Sequence, residues 1–412
     1  MLTGLRDSII PVTRGGRILA AGAMVDSFGT GMFLAAATLY FVGLVHLPAA
    51  QVAGAMSAGA VCGLVSPPLI CALADRYGAL RTYVVVMCLR CLISAAFPFI
   101  NDIAGFLLLT CLLTGADRPC SPLLQIIVTE VVGSEQRSST MASIRSARNI
   151  GVTVGLLAAG VVVGIGSRAA FTAIFLTDAA SYLVIAALVA RANRAASPPP
   201  RTATSTAPVA RSPLRNLRFL VFTAANGLLS LYDSMLVALL PIWLIQATVL
   251  HRSWLGLLLA VNTVLTVLIQ GYVARYARTV DGAFRLLWCA AGTLVAGCAL
   301  FALAQHSPLV PAILAAIGAV VAITLAENIH LAASWELSDA LAPPGARGRY
   351  LGVFSMGLSG ERIVGPVLLV AVLLPLGEWA WVLLAPVFAL SAGVAVRTGR
   401  QAYAETRPSP GE

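Results

Sequence analysis

Cys71-Ala72-Leu73-Ala74-Asp75-Arg76-Tyr77-Gly78-Ala79-Leu80-Arg81 is the stretch on which the reading of this chain turns. Its charged core, Ala74 to Gly78, forms a tight turn between two long apolar segments, about 50–73 and 82–100. Only 11% of the residues are charged, whereas 59% are hydrophobic, so charges gathered in one short turn are a signal and not background. They mark a place where the chain leaves an apolar solvent and re-enters it.

The rest of the chain repeats that alternation. Mean hydropathy is +0.89, beyond the range of an ordinary soluble domain. A helix needs about 20 apolar residues to cross the hydrocarbon layer. Twelve stretches qualify: about 18–45, 51–73, 82–100, 103–132, 139–164, 168–190, 217–248, 254–276, 284–304, 309–338, 349–374 and 378–396. Each must be helical, because lipid offers no partner to a backbone N–H or C=O. The period-2 alternation of a membrane barrel does not occur. The fold class read here is an all-α membrane protein with twelve transmembrane helices.

The formal net charge of +10 suggests a polyanion-binding protein until its distribution is examined. All 27 basic residues are Arg. With the N-terminus placed inside, 20 fall in inside segments and only Arg168 and Arg252 in outside loops. Five more lie within spans: Arg90, Arg118, Arg145, Arg148 and Arg362. That asymmetry is the positive-inside pattern, and it predicts that both termini are cytoplasmic. The basic excess therefore reports topology, and no nucleic-acid partner is expected. Arg without Lys, beside abundant Ala, fits a GC-rich bacterial genome, so the expected location is a bacterial cytoplasmic membrane, multi-pass. The first apolar run is too long for a cleavable signal peptide and is expected to serve as the insertion signal. All eight Cys fall inside apolar spans, where Cys behaves as a small core residue; no metal and no cofactor are expected.

One composition break divides the chain. Residues 191–216 are rich in Pro, Ser, Thr and Arg and cannot build a core. The division expected is a six-helix bundle at 1–190, a cytoplasmic linker at 191–216, a second bundle at 217–396 and a cytoplasmic tail at 397–412. Two equal halves joined in this way are the layout of transporters whose substrate site lies between the repeats near the midplane.

Ionisable side chains inside spans mark functional candidates. The acids are Asp26, Asp117, Asp178, Asp233, Glu327 and Glu361. Asp233 sits near the middle of span seven, too deep to reach an interface. Glu327 and His330 are three residues apart, which predicts one shared helix face and a route for a proton. Asp26 lies among Ser27, Gly29, Thr30 and Gly31, small neighbours that leave room for water or cargo. Asp117-Arg118 and Glu361-Arg362 are adjacent pairs whose side chains diverge by about 100° and must find partners on other helices, conceivably span four with span eleven. Asp178 and Tyr182 read as a packing network.

The opening stretch resembles the signature between helices two and three of the major facilitator superfamily, roughly G-x-L-A-D-R-x-G-R-R. Leu73, Ala74, Asp75, Arg76 and Gly78 match; Cys71 replaces the first glycine, and Ala79 and Leu80 replace basic positions, with Arg81 close by. The resemblance implies two six-helix bundles of the major facilitator fold. It also implies a cytoplasmic charge network of Asp75, Arg76, Arg81 and, at the end of span four, Glu130. Span five resembles the antiporter motif G-x-x-x-G-P-x-x-G-G through Gly151, Gly155 and Gly160, with Leu156 where Pro is expected. Residues 343–352, followed by Gly365-Pro366, resemble the helix 10–11 region of bacterial drug-efflux members.

The resemblance implies that helices one, four, seven and ten line the cavity. The expectation is therefore a proton-coupled exporter of small amphiphilic compounds, embedded in the lipid bilayer and acting as a monomer. Asp26, Asp233 and Glu327 are expected to touch proton or substrate, with His330 and Arg118 as modulators. An uptake symporter or facilitator of the same fold is the alternative, weakened by a midplane of mostly Ala, Leu and Val. An intramembrane serine protease is a third reading, from Gly357-Leu358-Ser359-Gly360, but no His follows Ser359 to act as the base.

Overall fold

The computed structural model describes residues 11, 13–164, 166–195, 212–251, 254–343 and 345–406. No strand occurs among them, and twelve helices are long and apolar enough to span a membrane. In unit one these are α1 Arg14–Leu44, α2 Gly54–Tyr77, α3 Ala79–Phe99, α4 Ile103–Val132, α5 Ser134–Val163 and α6 Arg168–Arg194. They continue as α7 Leu217–Leu244, α8 Trp254–Val273, α9 Val280–His306, α10 Leu309–Ala340, α11 Arg347–Leu376 and α12 Trp379–Ala404. Of the expected linker, 196–211 lie outside the described residues, and so do 407–412 of the expected tail. The helix beginning at Trp379 continues to Thr406, so most of the tail segment extends α12.

Local chemistry sets the helix ends. Thr13, Asp102, Asn216 and Thr279 each cap a helix by accepting a bond from the backbone N–H three residues on. Gly78 (φ +91°) and Gly133 (φ +80°) make the abrupt α2–α3 and α4–α5 turns, in backbone conformations that a side chain opposes.

Contacts divide the chain into two units: Met1–Val209 with Gly345–Gly352, and Ala210–Pro344 with Val353–Glu412. The first turns of α11 thus belong to unit one and the rest to unit two. Within unit one, α1 crosses α5 at backbone contact. A Cβ on Gly151 would collide with the Met24 carbonyl, one on Gly155 with the Phe28 carbonyl, and one on Gly31 with the Val152 carbonyl. Small residues permit such approach where lipid supplies no hydrophobic drive between helices. Gly160 meets nothing. Nine residues from Gly151 at 100° each place it on the opposite side of α5, so it leaves the packing face on which the sequence pattern set it.

Each unit carries an aromatic cluster at corresponding places. In unit one, Tyr40 and Phe41 from α1 meet Phe97 from α3 and Phe175 from α6. In unit two, Trp243 from α7 meets Phe301 from α9 at 4.6 Å, and Trp381 from α12 stacks on Phe301 at 4.7 Å. The repeat is faint in sequence but clear in which helices supply the rings.

Four helices break or change winding, α1 among them with a π turn at Tyr40–Leu44. Helix α4 breaks between Asp117 and Cys120, at Pro119, which has no N–H to give. Helix α7 breaks at Ser230-Leu231 and then takes a π turn over Met235–Leu239. Helix α11 passes into a π turn at Val367–Leu373, just after Pro366. Discontinuous helices at membrane depth are where transporters place polar chemistry.

Candidate functional site

The α2–α3 turn brings an acid to a helix end. Asp75 accepts bonds from the Gly348 N–H (2.6 Å) and the Arg349 N–H (3.0 Å), at the start of α11. It also accepts one from Arg349 Nε at 3.2 Å. These amides are among the orphan donors of a helix N-terminus, so Asp75 caps α11 from far away in sequence. Nearby, Arg347 donates to Thr129 Oγ1 at 2.9 Å and lies within electrostatic reach of Glu130. Gly348 and Gly352 press against the Cys71 and Pro67 carbonyls. Arg349 thus partners Asp75, and Arg347 lies near Glu130. Arg76 and Arg81 are exposed, with Arg76 lying over the Tyr77 ring.

Unit one is centred on a residue that the sequence reading passed over. Arg90 of α3 is 2% exposed. Its Nη2 meets Asp117 Oδ1 of α4 at 2.8 Å, and its Nη1 lies 3.5 Å from Asp26 Oδ1 of α1. The guanidinium also covers the Tyr182 ring of α6 at 4.0 Å, a cation–π contact strengthened by burial. Asp178, one turn before Tyr182, accepts from Ser94 Oγ at 2.7 Å. Two carboxyl groups from two helices therefore meet one guanidinium, and Asp178 lies within its electrostatic reach. Arg148 adds charge within reach of Asp26. Asp26 is buried, whereas the Asp117 side chain is 40% exposed. Asp178 and Tyr182 belong to this charge cluster and are not packing alone.

Unit two has a different arrangement. Asp233, just past the α7 break, pairs with Arg362 of α11 at 3.3 Å, the two side chains 41% and 55% exposed. Their sequence neighbours pair behind them: Ser234 Oγ donates to Glu361 Oε1 at 2.5 Å. The adjacent charges of α11 thus pair with α7, and Asp117 pairs with α3.

His330 is fully buried and bridges α10 to α7. Its Nδ1 meets Tyr232 Oη at 3.0 Å, and its Nε2 meets Asn226 Oδ1 at 3.1 Å and Ser334 Oγ at 3.3 Å. Glu327 turns the other way. Its Oε2 accepts from Asn262 of α8 at 3.2 Å. Three residues on a helix differ by about 60° in direction, and α10 is flanked by both α7 and α8, so the two side chains serve different neighbours. Glu327 thus meets Asn262 of α8, and His330 meets Tyr232 and Asn226 of α7. Arg118 lays its aliphatic stem against Gly63 of α2, where a Cβ would come within 2.9 Å of Arg118 Cγ.

The described residues hold no group of three His, Cys, Asp or Glu placed to bind a metal ion. Chemically, these clusters can bind, exchange and balance charge within an apolar bundle.

The chain matches the sequence profile of the Major Facilitator Superfamily over residues 19–366. No curated protein matches it in sequence. Among solved structures it is similar to a bacterial homologue of the iron transporter ferroportin in an outward-facing state. The TM-score is 0.70 at 16% identity, over 95% of this chain and 100% of that one. It is also similar to the human organic anion transporter TETRAN, with a TM-score of 0.59 at 18% identity over 95% and 99%. At such identities the likeness is one of fold.

Proposed function

The chain belongs to the major facilitator superfamily, and from that premise we propose that it is a secondary active exporter of small amphiphilic compounds, coupled to proton entry. Alternating access is the mode of action, the bacterial cytoplasmic membrane the location, with both termini cytoplasmic and the protein acting as a monomer. The transporter family leaves the serine-protease reading without support.

The observation that carries the proposal is the Arg90 cluster. Asp26 and Asp117 share one guanidinium, with Asp178 within its electrostatic reach, in a bundle where buried charge is expensive. A proton or a cationic group on the cargo can compete with that guanidinium for the acids, and exchange between the two is antiport in its simplest form. Asp117 faces outward enough to meet cargo, while Asp26 is enclosed and suits the proton. Asp233 with Arg362 offers a second exposed acid in unit two, and Glu327 a half-buried one. The apolar character of the spans favours amphiphilic cargo over sugars.

The test uses purified protein in sealed vesicles under an imposed pH gradient, with lipophilic dyes and antibiotics as cargo. Asp26→Asn, Asp117→Asn, Asp233→Asn and Glu327→Gln run alongside. Gradient-driven movement that disappears in one acid variant supports antiport and identifies the carrier. Cargo movement indifferent to the gradient in the unaltered protein refutes proton coupling.

A further inference from the structure

Inside unit two, α8 and α10 are joined by a ladder of polar side chains, of which the site described above includes only the Asn262–Glu327 bond. Asn262, Thr266 and Gln270 stand four residues apart and share one face of α8. On the first rung, Asn262 Nδ2 donates to Thr324 Oγ1 at 3.0 Å and to Glu327 Oε2 at 3.2 Å. On the second, Asn328 Nδ2 donates to Thr266 Oγ1 at 3.4 Å. Both rungs pair residues 62 apart. The same register sets Gln270 opposite Ala332, which packs with Val273 and Ala277. The third rung therefore has an amide on one side and a methyl on the other.

The consequence appears in Gln270 itself. The residue is 4% exposed, and neither its Oε1 nor its Nε2 has a hydrogen-bond partner among the described residues. A buried amide without partners costs about 1–3 kcal/mol per group, more than a helix pair sacrifices without reason. Buried polar groups left over by the protein are satisfied by ordered water. Ala332 lacks the amide that Asn328 brings to the rung above and lies in an apolar cluster, so no side chain there answers the Gln270 amide.

We propose that the α8–α10 seam holds resident water at Gln270 and conducts protons along its polar face to Glu327. The water site stands on the ladder geometry; the use of the seam rests on the antiport reading above, in which Gln270 lies at the cytoplasmic end of α8, so that in transport the seam releases the proton of Glu327 to the cytoplasm, and a drop in pH on that side drives the same route in reverse. The seam runs from Asn262 to Gln270, eight residue steps or about 12 Å at ~1.5 Å per residue. An excess proton entering as hydronium at the Gln270 end moves by exchange of O–H bonds along water and the Thr266 hydroxyl. It ends as an O–H on the Glu327 carboxyl while the last hydronium reverts to water, and no other bond changes. The amides of Gln270, Asn328 and Asn262 orient the chain and carry no proton. They are positioning residues.

The test follows Glu327 without any cargo. The protein in lipid nanodiscs is subjected to a pH jump, and the infrared carbonyl band of protonated Glu327, assigned by its loss in Glu327→Gln, is followed in time. Ala332→Leu fills the third rung and should slow protonation at least tenfold. Gln270→Leu should do the same while removing a buried amide, so its folding is not at risk. A high-resolution map of the unaltered protein should show water within hydrogen-bond distance of the Gln270 amide. Equal protonation rates in all three proteins, no Glu327 band at any pH, or no water at Gln270 would each overturn the proposal. If Glu327 protonates through the seam but vesicle transport ignores the gradient, the antiport reading fails and the seam stands.

Discussion

Replacing Asp75 with Ala removes the cap from α11, and the structure sets the size of the effect. Three bonds converge on one carboxylate, from the Gly348 and Arg349 amides and from Arg349 Nε. Losing an N-cap costs about 0.5–2 kcal/mol. The charge at the helix N-terminus contributes about 0.3–1 kcal/mol more. The ion pair contributes little, about 0–1 kcal/mol, because the Arg349 side chain is 37% exposed. Taking about 2 kcal/mol as the working sum, opening of the first turn of α11 becomes roughly 30-fold easier, at ~1.4 kcal/mol per tenfold. Hydrogen–deuterium exchange at the Gly348 and Arg349 amides should rise by that factor in Asp75→Ala. Asp75→Asn keeps one neutral acceptor and should fall between. Exchange at those two amides unchanged in Asp75→Ala would refute the capping argument, whatever happens to transport.

Three further outcomes follow from the same geometry. Arg90→Gln takes from Asp26 the guanidinium beside it, and breaking a buried pair from one side costs about 3–5 kcal/mol; the thermal midpoint in detergent should drop sharply, and adding Asp26→Asn should recover part of the loss. Gly155→Val drives a side chain into the Phe28 carbonyl and should destabilise by at least about 1–3 kcal/mol in the same assay, whereas Gly160→Ala, in open space on a helix, should stabilise by about 0.5–1 kcal/mol. Equal effects at the two glycines would contradict the α1–α5 crossing. His330→Leu strips partners from Asn226, Tyr232 and Ser334; in a double-mutant cycle with Asn226→Ala the combined loss should be smaller than the sum of the two, since both remove one bond. Strict additivity would mean the bond carries no weight.

Helix number and extent were legible because each span must satisfy its backbone alone and must be about 20 residues long, both of which are local properties. The turn at Asp75 was legible for the same reason, since Gly78 supplies the backbone reversal in place. Partner choice was not. Arg90 was visible as an arginine inside a span, but its value lies in Asp26, Asp117 and Tyr182, each on another helix. Nothing in the local sequence tells which helices α3 touches. Glu327 and His330 show a subtler limit: spacing gives the angle between two side chains, but not which neighbour stands on either side of the helix. The helix breaks at Pro119 and Pro366 had a signal in the prolines themselves. The break at Ser230-Leu231 had none as strong.

The α1–α5 crossing has a consequence for how such a chain can change over generations. Gly31, Gly151 and Gly155 each meet a carbonyl of the opposite helix, so no single substitution at these positions is absorbed by moving a side chain. Only separation of the two backbones makes room, and that disturbs every contact along α1, Asp26 included. The acids of the bundle can drift one at a time, but these glycines can change only as a set. Among homologues, positions 31, 151 and 155 should therefore vary together or not at all, independently of what each protein carries.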